Sequence, residues 1–472
     1  MELTFWGAAR QVTGSMFLLK LEDDYQVLID CGVDMANMSE SMPLYPGASF
    51  PFDPTLVNVV LLTHAHLDHS GKLPNMYRDG YEGQILCTSP TMELTELLLR
   101  DSANINQRKI KAYHKKLAKG IDPESIPFDP KNLYNANDVQ HTLEQFVPIQ
   151  FHRRFNIKPG LHVTFIPTGH LLGAASILVE VEENGETKKL LFSGDIGRND
   201  YPLLPDPEPM PEADYIICET TYGNRTHQSI ADSTEEIADV IQRACVDKPG
   251  RLIIPAFSIG RTQAVIYIMH KLFEAGKLPP VKIFADSPLA QQSNHVYERM
   301  SSFLNEEAKE FKKEYGSLFN FETLKYIEQT KESEAISNYN EPCIIISSSG
   351  MMEGGRIQHH IRANMENSYC TILMVGFSAE GTLGNRLLNH SGSIRIGTRE
   401  YPMKANIEKT DSFSGHGDVY DLLNFVHQQD AEKLKKVFLV HGEEEAMKDF
   451  SEQIQSEGYK VELPEKGQTF KL

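Results

Sequence analysis

Short apolar runs separated by turn signals fill the first two hundred positions. Phe17-Leu18-Leu19 and Val27-Leu28-Ile29 read as neighbouring strands joined by the polar Glu22-Asp23-Asp24 turn. Residues 56–62 are apolar except for Asn58 and end in a polar cluster, and 162–166, 175–181 and 190–192 are further strands. Residues 91–145 break this pattern. They are polar, Lys-rich and helical in period, which predicts a helical insertion lying on the surface. After a Pro-rich stretch at 201–211 the order becomes strand, helix, strand. Residues 214–218 are a strand. Ser233 opens a helix, with Glu236 completing a capping box. Residues 251–255 are a strand, and 261–273 a helix stopped by Gly276. Buried-strand runs at 281–285, 343–347 and 371–375, with helices between them, predict a parallel doubly wound sheet. From about Ser391 alternating strands return. One is 437–440, followed by a helix from Glu443.

Composition narrows the class. The 472 residues suit two or three domains. With 40% hydrophobic and 24% charged residues, wholesale disorder is excluded. The net charge of −19 argues against a protein that coats nucleic acid, so any phosphate binding must use a local patch or metal ions. No window is apolar over the ~20 residues that a bilayer span needs. The start, Met1 to Trp6, has neither a basic nor an apolar leader region, which argues against export. The six cysteines are scattered without a CxxC pair, as in reduced core residues of a cytoplasmic protein.

The chemistry concentrates in Thr63-His64-Ala65-His66-Leu67-Asp68-His69-Ser70-Gly71. Three imidazoles and a carboxylate fall within six positions, directly after a buried strand. Alternate side chains at a strand end share a face, so His64 and His66 point the same way. The turn that follows brings Asp68 and His69 to a second position, which suits two adjacent metal ions. A single such His would read as a core imidazole; four ligand-type residues at this spacing read as a metal site. Each zinc needs about four ligands, so other strand ends must contribute. Thr168-Gly169-His170, Ser193-Gly194-Asp195 and Val440-His441-Gly442 each place a ligand-capable residue beside a glycine just past a buried strand.

His64-x-His66-x-Asp68-His69, followed by His170, Asp195 and His441, resembles the metallo-β-lactamase fold. The resemblance implies that His64, His66 and His170 hold one zinc, that Asp68, His69 and His441 hold the other, and that Asp195 bridges. Asp30 matches the family's early aspartate, which orients the cluster from behind. Cys218-Glu219-Thr220-Thr221-Tyr222-Gly223 and Ser412-Phe413-Ser414-Gly415-His416-Gly417-Asp418, with His441, resemble motifs A, B and C of the β-CASP nucleases. The likeness extends to residues 8–15, 255–261, 286–288, 347–356 and 376–384, hence to most of the chain outside 91–145. The implied architecture is an αββα metallo-β-lactamase sandwich with an inserted doubly wound α/β domain. Its expected divisions are 1–207 and 391–472 for the sandwich and 208–390 for the β-CASP domain.

The implied activity is hydrolysis of RNA phosphodiesters with two zinc ions, leaving 5′-phosphate and 3′-hydroxyl ends, by endonuclease or 5′→3′ exonuclease action. Asp68 and Asp195 are expected to orient the attacking water. His416, held by Glu219, is expected to protonate the leaving oxygen. Exposed N–H groups at Ser414-Gly415 and Ser349-Gly350 are expected to cradle phosphates, with Arg261 as a further substrate contact. In this family RNA-processing members carry His at the position of His441 and DNA-repair members carry Val, which favours single-stranded RNA over DNA. With no amino-terminal KH pair and no long carboxy-terminal extension, the chain reads as a minimal prokaryotic nuclease, with homodimerisation left open and no membrane partner. The rivals are a DNA nuclease of the same fold, a small-molecule metallohydrolase, which would not need Glu219, His416 or the insertion, and an inactive scaffold, which would have lost ligands.

Overall fold

The computed structural model describes all residues except 35–48, 124, 125, 127, 228–230, 377, 379 and 380. Residues 377, 379 and 380 of the expected 376–384 motif therefore lie outside the described residues. The chain divides into two compact units. The first comprises Met1–Asn199, Asp206–Thr226 and His416–Leu472; the second comprises Asp200–Pro205 and His227–Gly415.

Two seven-stranded sheets form the first unit. One runs Gln468–Lys471, Glu2–Phe5, Phe17–Lys20, Gln26–Ile29, Val57–Leu61, Gln84–Thr88, Phe146–Ile149. The other runs Val461–Glu462, Lys436–Val440, Tyr215–Glu219, Glu186–Phe192, Ala175–Glu183, Leu161–Pro167, Phe155–Lys158. Strand alternation sorts side chains between layers. Val59, Leu61, Phe17 and Ile29 meet Phe165, Ile177, Phe192 and Phe438 in the inner core. Val60, Leu28 and Ile85 face outward onto Leu73 and Met76 of the helix Leu73–Arg78. On the other side Leu191, Ile216 and Leu439 pack on Leu422, Val426, Met447 and Phe450 of the helices Val419–His427 and Glu444–Ser456. The result is a helix–sheet–sheet–helix sandwich, as expected.

A six-stranded sheet centres the second unit, in the order Leu324–Tyr326, Lys282–Asp286, Cys343–Ser347, Arg251–Pro255, Cys370–Val375, Asn406–Thr410. Every pairing is parallel. Strands covered on both faces read as continuous apolar runs, and Cys343–Ser347 is buried throughout.

Several expectations need correction. Residues 208–226 belong to the first unit, because Tyr215–Glu219 pairs in parallel with both Glu186–Phe192 and Lys436–Val440. Residues 391–415 belong to the second, because Asn406–Thr410 pairs with Cys370–Val375. An apolar run such as Tyr215–Glu219 announces a strand but not its partner, and Asn406–Thr410 is too polar to announce one, so both expected boundaries fell short. The helix Ala231–Ile241 begins before Ser233 rather than at it, and Glu236 accepts hydrogen bonds from the hydroxyls of Thr410 and Ser412. Residues 91–145 are helical and largely exposed, as expected, but part of the segment is buried. Leu99 and Ala103 of the long helix Ser89–Leu117 are buried with Tyr134 and Val139, and Leu67 packs on them. All six cysteines are buried and unpaired. No helix among the described residues is long and apolar enough to cross a membrane.

Candidate metal centre

Thr63 to His66 follow the strand Val57–Leu61 and lead into the short helix Leu67–Ser70. Asp30, just past Gln26–Ile29, takes the left-handed φ of 59° that Asp tolerates better than most residues. Its carboxylate accepts from the Thr63 N–H at 2.8 Å and the Thr63 hydroxyl at 2.9 Å. Its Oδ2 also lies 2.7 Å from Nδ1 of His69. Asp30 thereby fixes the loop and sets the His69 ring with Nε2 inward. Gly32 lets the helix come close, since a Cβ there would lie 1.6 Å from the Asp68 carbonyl oxygen.

The other candidate ligands come from three strand ends of the second sheet. His170 follows Leu161–Pro167, Asp195 follows Glu186–Phe192, and His441 follows Lys436–Val440. His441 adopts φ 50°, which is costly for a non-glycine residue and persists only when its surroundings enforce it. They do so here. The His441 N–H donates to the Ala8 carbonyl at 2.7 Å, and its own carbonyl accepts from the Thr220 N–H at 3.2 Å.

Two ligand sets result. His64, His66, His170 and Asp195 offer atoms within 4.8 Å of one another, as do Asp68, His69 and His441. In the first set Nε2 of His64 is 3.2 Å from Nδ1 of His66, which is 3.2 Å from Nε2 of His170. Asp195 Oδ2 lies 3.4 Å from His64 Nε2 and 3.5 Å from His170 Nε2. In the second, His69 Nε2 lies 3.3 Å from His441 Nε2, which lies 3.4 Å from Asp68 Oδ2. Asp195 turns its Oδ1 to this set, 3.2 Å from His69 Nε2. A tetrahedral site with bonds of 2.0–2.1 Å has edges of about 3.3–3.4 Å. These separations match that edge length. Asp195 Oδ1 is buried among the ligand-type nitrogens, 3.2 Å from His69 Nε2 and 3.7 Å from His441 Nδ1. The donor set therefore fits metal ions.

Electrostatics support the same reading. Burial, aided by the neighbouring imidazoles, pushes His64 well below its ordinary value, and burial lowers His66 to about 4. Both offer unprotonated nitrogens at neutral pH. For His69 burial is outweighed by Asp195 and Asp30, which hold it well above its usual range. Burial would raise Asp68, but His441 and His69 bring it down to about 2. Asp195 is likewise held low by His441, His69 and His64 against its burial. Both carboxylates are ionised and ready to ligate.

Beside Asp195 stands a second pair. His416 Nδ1 lies 3.3 Å from Glu219 Oε1 and 3.9 Å from Asp195 Oδ2, and its ring centre is 4.5 Å from that of His170. Glu219 Oε1 also accepts from the Ile196 N–H at 2.6 Å, and its Oε2 from the Thr221 hydroxyl at 2.5 Å and N–H at 3.2 Å. Asp195, Glu219 and His416 lie close enough to hold an ion themselves. The Glu219 oxygens are already engaged by these donors, which suits holding His416 better than ligating. Burial lowers the His416 imidazole, but Glu219, with help from Asp195 and Asp68, raises it above its usual value.

All seven expected metal ligands, Asp30, Glu219 and His416 thus converge within the first unit. Sequence reasoning gave no role to Thr63 and Thr221. Thr221 Oγ1 joins Glu219 to His441, lying 3.1 Å from His441 Nδ1. Each Thr adjoins a motif residue, which was the available signal. The expected substrate contacts lie in the second unit. Arg261 opens the helix Arg261–Glu274, with its guanidinium carbon 4.8 Å from the Phe257 ring centre. A Cβ at Gly376 would come within 2.8 Å of that carbon. Ser349 and Gly350 follow the neighbouring strand Cys343–Ser347, and a Cβ at Gly350 would meet the Phe257 ring at 3.1 Å. Arg261, Phe257, Gly350 and Gly376 thus gather at the carboxyl edge of the parallel sheet, where open α/β sheets bind ligands. The expectation for Ser414 fails in one respect. Its N–H is not exposed: the residue is fully buried and the N–H donates to the Asp411 carbonyl at 3.0 Å, closing a turn.

Comparison with known proteins agrees with this geometry. Residues 18–194 match the metallo-beta-lactamase superfamily domain, 262–387 the Beta-Casp domain, and 400–464 the Zn-dependent metallo-hydrolase RNA specificity domain. A ribonuclease of Thermus thermophilus is 31% identical over 468 residues, covering 99% of each chain. The chain belongs to the β-CASP family of metallo-β-lactamase-fold nucleases. Two other relatives extend the β-CASP comparison. An RNase J-like protein of Methanocaldococcus jannaschii is 29% identical, over 93% of this chain and 92% of that one. The transcription termination factor FttA of Methanosarcina mazei is 28% identical, over 96% of this chain and 68% of its own length. This β-CASP protein is a hydrolase of the nuclease class, from a metal-dependent family, with His/Asp clusters able to bind metal.

Proposed function

We propose that the chain is a ribonuclease that binds two zinc ions and hydrolyses single-stranded RNA, leaving 5′-phosphate and 3′-hydroxyl ends, in the reducing cytoplasm that its unpaired buried cysteines suit. The observation that carries this reading is the Asp195 carboxylate, shared between two imidazole-rich sets with the His416–Glu219 pair at its side. Zinc held by His64, His66 and His170, and by Asp68, His69 and His441, would neutralise phosphoryl oxygens and bring the pKa of a water from 15.7 towards ~7. Asp68 and Asp195 orient the attacking water. His416, protonated and held by Glu219, gives its proton to the leaving 3′ oxygen. His441 and the relatives named as ribonucleases favour RNA over DNA. Internal and 5′→3′ cleavage both use this machinery.

The test is metal content together with cleavage of labelled single-stranded RNA and DNA. Two zincs per chain and preferential RNA cleavage are expected. His64→Ala combined with His66→Ala removes two imidazoles of one set, and zinc should fall to about one per chain. Unchanged stoichiometry in that variant would overturn the ligand assignment, and equal or faster cleavage of DNA would overturn the substrate assignment.

A further inference from the structure

The long helix Ser89–Leu117 carries a feature that the metal chemistry does not use. Arg108, Lys109, Lys111, Lys115, Lys116 and Lys119 place six cations in twelve positions, and no Asp or Glu lies between Asp101 and Asp122. The chain as a whole carries a net charge of −19. All six are exposed except Lys109, which is half-buried. Many cations elsewhere meet a carboxylate, as in Lys271–Glu307, Lys312–Glu298, Lys435–Asp214 and Lys448–Glu444. Among the described residues none of these six is in an ion pair.

Helical geometry gathers them. At 3.6 residues per turn Arg108, Lys109, Lys111, Lys115 and Lys116 fall within an arc of about 160°. Leu99, Ala103, Asn106, Ile110, Tyr113 and Leu117 recur at spacings of three and four on the other side. Leu99, Ala103 and Asn106 are buried, and Tyr113 meets Phe128 with ring centres 6.0 Å apart. The apolar face is already occupied, and the cationic face is open to a polyanion.

The start of the helix is tied to the metal centre. The hydroxyls of Thr88 and Thr91 donate to the Gly173 carbonyl at 2.7 and 3.0 Å, in the turn that carries His170. A rise of 1.5 Å per residue puts Arg108 about 26 Å from Thr91 along the axis and Lys116 about 38 Å away. At ~3.4 Å per stacked nucleotide the nearer distance corresponds to about eight nucleotides.

We propose that this cationic face is a docking surface for the RNA backbone, engaging phosphates eight or more nucleotides from the scissile bond. The proposal rests on the ribonuclease reading above. It explains how a strongly acidic protein attracts a long polyanion: the positive field is confined to one helix face.

The test is the quadruple variant Lys109→Gln, Lys111→Gln, Lys115→Gln and Lys116→Gln in the full chain. Gln and Lys have similar helix propensity and these side chains are not in the core, so the fold should persist. If four phosphates are released, the salt slope for a 30-nucleotide RNA falls by about 0.7 for each, or about 2.8 in all. The affinity lost between 50 and 200 mM salt should then shrink by about fifty-fold relative to wild type. Cleavage of a six-nucleotide RNA should stay within about twofold. An unchanged slope, or an equal defect on the short RNA, would overturn the proposal. So would wild-type binding to phosphatidylserine vesicles that the variant loses while its RNA slope is kept. If the quadruple variant fails to fold, Lys115→Gln with Lys116→Gln applies the same test with half the change in slope. A wild-type protein that neither binds nor cleaves RNA would instead defeat the ribonuclease reading itself.

Discussion

His416 lies 3.3 Å from Glu219 and 3.9 Å from Asp195, and these neighbours define its chemistry. Burial lowers the imidazole's pKa, but Glu219 outweighs it and shifts it upward, which favours the protonated form. A general acid of that kind loses activity as pH rises through its elevated value, so cleavage should decline on the alkaline side, and His416→Ala should lack that limb. The variant should keep the metal content of the wild type and bind RNA, while its rate falls by ~10²–10⁴. On a nitrophenyl phosphodiester, whose leaving group needs no proton, the defect should shrink. Equal losses on both substrates would make His416 a phosphate-binding group, and a lower melting temperature without selective rate loss would make it structural.

The element scale concerns what holds Asp68 and His69 in place. Both lie on the single-turn helix Leu67–Ser70, too short to be stable alone. Leu67 packs against the cluster of Leu99, Ala103, Tyr134 and Val139, so the segment after Ser89 buttresses the ligands. Leu99 is fully buried. Leu99→Ala should cost ~2–5 kcal/mol. If the cluster positions the ligand helix, the variant should also release zinc faster to a chelator, and volume-conserving Leu99→Met should restore retention. Lower stability with unaltered zinc release would confine Leu99 to a packing role.

At the scale of the whole molecule, the seven residues proposed as ligands all belong to the first unit. A ligand that binds only the folded state stabilises it by about 2.7 kcal/mol at a hundredfold excess over its Kd. Two compact units need not melt as one. Calorimetry should therefore resolve two transitions, of which a chelator lowers only that of the sandwich. A single transition, or two that shift together, would show that the units unfold cooperatively.

The candidate cluster was readable because HxHxDH compresses four ligand-type residues into six positions, and because strand-end glycines flag His170, Asp195 and His441. The succession of buried-strand runs and helices announced the parallel sheet, whereas the sandwich was implied only by the resemblance to the metallo-β-lactamase fold. Strand partnership was not readable. Tyr215–Glu219 is an apolar run that joins the sandwich, whereas Asn406–Thr410, with Ile407 its one apolar side chain, joins the parallel sheet without announcing itself. Pairing depends on backbone hydrogen bonds to distant segments, which local pattern does not encode. The same limit hid Thr221, whose link between Glu219 and His441 exists only because Tyr215–Glu219 and Lys436–Val440 lie side by side. Local residue chemistry is written in the order of the chain, whereas the company each residue keeps is settled by long-range packing.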